Sequence, residues 1–416
     1  MSLVPRTVTP PEFRDWFRAK RVGFAHPTGE SEEESAVRLA HVDLSRVQGV
    51  FDEGRCVATF RSFAQELTVP GGARLPVSAI TAVTVSPSHR RRGLLGRMMA
   101  EDLAAAKERG EVLATLIAAE YPIYGRFGFG PATSVVEWEA DVLRTGLDPH
   151  ARVPAEGDGG RVDLVDGEEV REAGPGLHDR IAASRHGVID RPERWWELRT
   201  GISVPAHEEW TQPFHAQYRS ASGEIEGLAT YRVEDRWGDG KQPMCTVVVR
   251  DLLAATPAAE RALWHFLCSI DWVTRVRTGF RAPDDLFPLL FPDPRAARVV
   301  TAADWLWLRV LDIPAALEAR TYVCPVTLVL QVDDPDGPAD GRFLLAAGPD
   351  AVTCTPTVRD PDLTLGAAEL ARLYLGDESV ERLVALGTVQ EHRPGAAAEA
   401  DAAFRTGRRP WCPDVF

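Results

Sequence analysis

The sequence predicts an α/β (α+β) protein of three successive units, each a mixed sheet with helices. Three observations carry that reading. Short apolar runs with the spacing of strands give way repeatedly to apolar residues at helical spacing. The 416 residues exceed one ordinary core, since domains of roughly 100–200 residues divide such a chain into two to four. Two segments, 148–160 with its proline, glycine and charge and Phe291-Pro292-Asp293-Pro294, interrupt the pattern and give units 1–147, 148–294 and 295–416.

Within the first unit, 48–51, 56–60, 66–69 and 80–85 read as strands, with Asp52-Glu53-Gly54 and Pro70-Gly71-Gly72 at hairpin turns. The period then changes, because Leu94, Leu95, Met98, Met99, Leu103 and Ala104 recur at helical spacing up to Gly110. A strand at 112–119, a turn-rich segment at 124–130 and a strand at 134–140 complete the unit. The second unit offers strands at 214–218, 225–233 and 245–251, then a helix at 258–269 opened by Thr256 as N-cap and Pro257 at N1. In the third, strands at 326–332 and 341–347 and helices at 367–375 and 396–404 form a separate α+β layer.

A content of 44% hydrophobic and 26% charged residues suits a globular fold and excludes a disordered or fibrous one. Acids outnumber bases 61 to 47, which argues against a nucleic-acid binder, because phosphate backbones are met by clustered Lys and Arg. The same excess can draw cationic small molecules into a cleft. Six cysteines without a C-x-x-C pair suggest neither a zinc knuckle nor a disulfide framework, so no metal is expected and a reducing cytoplasm fits. Residues 1–17 lack the regions of a signal peptide, and no stretch approaches the ~20 apolar residues of a membrane span.

The strongest local signal is a strand carrying Val83, Thr84 and Val85 that runs into His89-Arg90-Arg91-Arg92-Gly93-Leu94-Leu95-Gly96 and then a helix. The first N–H groups of a helix lack internal partners, the arginines add charge-assisted bonds, and Gly93 lets the backbone approach closely; together they form a pyrophosphate site. A solvated basic turn is the competing reading.

This loop resembles the acetyl-CoA motif of the GNAT superfamily, Arg/Gln-x-x-Gly-x-Gly/Ala, with Arg90 and Gly93 at the first and fourth positions and Leu95 departing at the sixth. With Ile123-Tyr124-Gly125-Arg126-Phe127-Gly128-Phe129-Gly130-Pro131-Ala132-Thr133 it closely resembles one branch, the Eis (enhanced intracellular survival) acetyltransferases. The resemblance continues through Arg185-His186-Gly187, Trp195-Trp196 and 305–312 to the last residue. It implies two GNAT-like domains and a third similar to sterol carrier proteins, an acetyl-CoA-dependent N-acetyltransferase with its one cofactor loop in the first unit, and a hexamer built from trimers.

The resemblance also implies roles: Tyr124 as general acid for the departing thiolate, and the C-terminal carboxylate on Phe416 as general base for the amine. The residues lend support of their own. A phenol of pKa about 10 stays protonated at neutral pH. An ending of Pro410-Trp411-Cys412-Pro413-Asp414-Val415-Phe416 is too apolar for a free tail and is expected to dock. The resemblance further implies a pocket for aminoglycoside-, lysine- or polyamine-like amines, acetylated directly in a ternary complex, for which Phe24, a loop carrying Glu30, Glu32, Glu33 and Glu34, and Glu399 with Asp401 are the candidates. A solvated acidic face competes with that assignment. The alternative overall is a non-catalytic acyl-CoA or lipid-binding protein.

Overall fold

A computed structural model describes residues 3–28, 31–147, 159–203, 210–335, 337–348 and 351–416. The chain opens with β1 (Arg6–Thr7) and α1 (Phe13–Gly23), which turns Phe13, Trp16 and Phe17 inward at helical spacing. Next, α2 (Glu32–Leu39) starts at Ser31, whose hydroxyl accepts from Glu34 N–H while the Glu34 carboxylate returns to the Ser31 N–H. The acidic stretch therefore departs from the expected loop: Glu32, Glu33 and Glu34 form a helical first turn, where their charge suits the helix dipole. Glu30 lies outside the described residues.

Three antiparallel strands follow, β2 (Val47–Asp52), β3 (Arg55–Thr68) and β4 (Arg74–Val85). The two runs at 56–60 and 66–69 are parts of one strand. Polar residues between them hid the continuity, because Ser62 is buried yet satisfied by its hydroxyl donating to Asp102 at 2.6 Å. After α3 (Leu94–Glu108) comes β5 (Leu113–Ile117), parallel to β4, then α4 (Tyr121–Tyr124) and β6 (Gly130–Pro131).

The second unit contains β7 (Ser134–Asp141), β8 (Arg161–Val165), α5 (Gly167–Ser184), α6 (Glu193–Thr200), β9 (Phe214–Arg219), β10 (Ile225–Glu234), β11 (Cys245–Ala254), α7 (Pro257–Cys268) and β12 (Val273–Arg277). Two strands, β13 (Ala297–Asp304) and β14 (Leu306–Val310), then part company. The first sheet has the order β1-β2-β3-β4-β5-β14-β6, and the second β13-β7-β12-β11-β10-β9-β8. Three strands thus sit elsewhere than linear units imply: β7, read as the end of the first unit, pairs with β12 and β13 in the second sheet, and of the two strands that open the third unit β13 joins β7 while β14 pairs with β5 and β6. All five β14 residues are buried, as befits a strand covered on both faces.

The third unit comprises α8 (Ile313–Ala319), β15 (Val326–Asp333), β16 (Gly341–Ala347), β17 (Val352–Pro356), β18 (Leu363–Gly366), α9 (Ala367–Tyr374), α10 (Val380–Ala385), β19 (Val389–Glu391) and α11 (Ala396–Phe404). Its sheet runs β17-β16-β15-β18-β19. Leu306, Leu308 and Val310 share one buried cluster with Leu328, Leu330 and Leu370, so the third unit and the first sheet have a common core. Among the described residues, no helix is long and apolar enough to cross a membrane.

Candidate active site

Strand β4 contains a bulge. The partner of Thr59 is Thr84 but that of Arg61 is Thr81, which leaves Ala82 and Val83 opposite Phe60 alone. Ala82 takes φ +55, a left-handed conformation costing an L-residue roughly 1–2 kcal/mol. The Thr59 hydroxyl donates to the Ala82 carbonyl at 2.8 Å and lies 2.7 Å from the Thr84 hydroxyl, holding the bulge in place. Strand β5 pairs with β4 only from Val77 to Ile80, so β4 beyond Ile80 has no ladder partner on that side. The two strands open there into a cleft whose free backbone N–H and C=O groups suit an extended amide-bearing chain.

The basic loop follows directly. His89 is fixed by Asp52 at 3.0 Å and Ser88 at 2.8 Å; Arg91 and Gly93 adopt φ +64 and +72, and α3 begins at Leu94. The Arg90 and Arg91 side chains are exposed and make no hydrogen bond or ion pair among the described residues. A helix N-terminus with two unengaged guanidinium groups at its mouth fits a pyrophosphate. Leu94 is buried against Met98, whereas Leu95 and Gly96 are half-buried, Gly96 beside Phe127.

Tyr124 ends α4, just beyond the open end of β5. Its ring packs against Phe129 and Trp307, and its hydroxyl makes no hydrogen bond among the described residues. Burial, and then the charge of Glu120, push its pKa above the usual phenol value, so it keeps its proton at neutral pH. The glycines after it have a steric cause: at Gly128, φ +75, a β-carbon would fall 1.8 Å from Arg309 Nη1, and at Gly130 one would fall 2.2 Å from the Ala368 carbonyl. Arg309 reaches the Phe127 carbonyl and pairs with Asp334 at 2.9 Å, tying this turn to the third unit.

The tail docks. Trp411 N–H donates to the His186 carbonyl at 3.1 Å, close against Gly187, and Trp305 Nε1 donates to the Asp414 carbonyl at 3.0 Å. Arg191 is the clamp, pairing with Asp251 at 2.8 Å and with Asp414 at 3.0 Å while lying 3.9 Å over the Trp195 ring. Beyond it, Phe416 sets its ring edge-on to Phe63, and its terminal oxygen accepts from the Thr81 hydroxyl at 3.3 Å, next to the β4 bulge.

Phe416 and Val415 reach a cavity of about 1390 Å³ between the first two units. Phe13, Trp16 and Phe17 of α1, Glu33 and Glu34 of α2, and Arg61 and Phe63 of β3 line one side; Arg194, Trp195 and Arg199 of α6, Arg232 of β10 and Arg250 of β11 line the other. Tyr124 belongs instead to the apolar cluster under α3, with Leu94 and Met98.

Three expected pocket residues lie elsewhere. Phe24 follows α1 with an exposed ring near His26. Glu399 pairs with Arg393 at 2.8 Å. Asp401 accepts from Val380 N–H at 2.8 Å, serving the start of α10, and pairs with Arg405. Closeness to the tail in sequence misled here, since α11 packs within the third unit before the tail departs. The arginines of α6, β10 and β11 carried no local sequence signal, being scattered from Arg194 to Arg250.

An acetyltransferase (GNAT) domain matches residues 4–132, another acetyltransferase (GNAT) domain residues 187–310, and a sterol carrier protein domain residues 313–413. Fold and matches together define an acetyl-CoA-dependent N-acetyltransferase with two GNAT domains in tandem and a sterol-carrier-like third. The chain is 62% identical over 417 residues to an uncharacterised N-acetyltransferase of Streptomyces griseus, covering 100% of both. It is 34% identical over 342 residues to N-acetyltransferase Eis of Mycobacterium tuberculosis, covering 81% of this chain and 80% of that one. The crystal structure of Eis1 from Mycobacterium abscessus aligns at TM-score 0.84 and 31% identity over 99% of this chain and 100% of that one. The chain belongs to the Eis family of N-acetyltransferases.

Proposed function

We propose that this chain moves an acetyl group directly to a primary amine within a ternary complex. Acetyl-CoA supplies a thioester; Val83, Thr84 and Val85 offer it an unpaired strand edge, and Arg90 to Gly96 an anion-binding turn. The amine must lose a proton to attack, and the Phe416 carboxylate, oriented by the Thr81 hydroxyl, takes it. As the new C–N bond forms and the C–S bond breaks, Tyr124 gives its proton to sulfur.

The observation that carries this reading is the Phe416 terminal oxygen 3.3 Å from Thr81 at the bulge, inside a cavity wide enough for an amine. Tyr124→Phe tests it through thiol release from acetyl-CoA with an amine acceptor. The rate falls about a hundredfold or more, as loss of a general acid entails, with acetyl-CoA affinity kept. An undiminished rate defeats the assignment, and a chain that binds acetyl-CoA but turns over no amine is a carrier. The expected aminoglycoside-, lysine- or polyamine-like acceptors share a primary amine, and the cavity's charge bears on the rest of the molecule.

A further inference from the structure

We infer that the acceptor carries an anionic group, a carboxylate or a phosphate, beside its amine; the position of that amine rests on the reading of Phe416 above. Among the described residues, the cavity is lined by seven Lys and Arg side chains against two glutamates and the terminal carboxylate. Lys20 and Arg38 stand on α1 and α2, near those glutamates. Arg194, Arg199, Arg232 and Arg250 form the wall across from them, and Arg61 lies beside Phe63, on which the Phe416 ring rests.

Among the described residues, Arg61, Arg199 and Arg250 have no carboxylate partner, whereas Arg191 just behind the wall has two. The Nε atoms of Arg61 and Arg232 are buried without a hydrogen-bond partner. Arg61 and Arg250 line the cavity and make no side-chain hydrogen bond among the described residues, so their guanidinium donors are left for charge-assisted bonds to an acceptor's anion. Arg199 lies 5.2 Å over the Trp195 ring, and both side chains line the cavity.

The negative net charge of the whole chain does not oppose this. Exposed charges are screened beyond a Debye length of about 8 Å, so a ligand inside the cavity meets the local lining. The resulting recognition is bipolar. The ammonium meets the Phe416 carboxylate at the bulge, and the anion meets the arginine wall of the second GNAT domain, giving that domain a part in acceptor selection.

The test uses the full chain and acceptors paired by charge: glucosamine 6-phosphate against glucosamine, 4-aminobutyrate against 4-aminobutanamide, and spermidine as a cation. Binding is read from the fluorescence of Trp16, Trp195 and Trp210, which line the cavity. At least one anionic member binds roughly tenfold or more tighter than its uncharged partner, as expected for one charged hydrogen bond, and the pair that responds tells phosphate from carboxylate. Arg250→Gln lowers that ratio about tenfold and Arg250→Lys preserves most of it. Equal or tighter binding of the uncharged members or of spermidine overturns the inference. Thiol release followed in parallel separates the two readings: anion-selective binding without turnover defeats acetyl transfer alone, and turnover that favours the uncharged or cationic acceptors defeats anion recognition alone.

Discussion

Removing Phe416 is the most direct perturbation of the proposed base. The Thr81 hydroxyl meets the terminal oxygen at 3.3 Å, and each residue of extended chain spans about 3.3–3.6 Å, so the shortened chain withdraws its carboxylate to about 7 Å. That distance is beyond a hydrogen bond, and the Phe63 ring contact is lost with it. Loss of a general base costs about 10²–10⁴ in kcat/KM, or roughly 3–5 kcal/mol of barrier. The tail itself stays clamped, since Arg191 grips Asp414 two residues earlier. The assay is thiol release across pH 6 to 9, with acetyl-CoA affinity by calorimetry and thermal unfolding as controls. Phe416→Ala keeps a carboxylate at the chain end and loses less. A truncated chain with an unchanged rate and pH profile refutes the reasoning.

Other expectations follow from the same structure. Arg191→Met leaves the buried Asp414 and the half-buried Asp251 without their shared cation, and lowers unfolding free energy by about 3–5 kcal/mol in urea titrations; a loss under about 1 kcal/mol would mean the clamp contributes little. Gly128→Ala forces a β-carbon into Arg309 at a positive φ, and costs about 2–3 kcal/mol by the same measurement. Burial lowers the pKa of His178 to about 4, so the unfolded chain binds this proton first as pH falls. The contribution is complete above pH 6.5 and is lost towards pH 4, up to about 3 kcal/mol; midpoints flat across that window contradict it.

Much of the candidate site's layout was legible because it is local. The switch from strand to helical period around Val85 and Leu94 marked the loop within one stretch of chain, and a tail ending in Trp, Val and Phe announced that it docks. The tail's target was not legible, because Thr81, Arg191 and Trp305 become its partners only after three units fold together. The arginine wall was masked by composition, since a whole-chain charge says nothing about which residues share a cavity. The destinations of β7 and β14 escaped for a related reason: both are apolar, strand-forming runs, and no local pattern specifies the sheet that each joins.

The position of β14 bears on how the protein is made. Between the end of β5 at residue 117 and the start of β14 at 306 lies the whole of the second sheet. At 5–20 residues per second a ribosome needs roughly 10–40 s to cover that stretch. Until then β5 presents an open ladder edge with apolar side chains, the template on which strands of other chains pair. The first domain therefore waits, unfinished, for a segment synthesised much later. Guarding that gap is a task for chaperones, and an excised 1–132 fragment would carry the same open edge permanently.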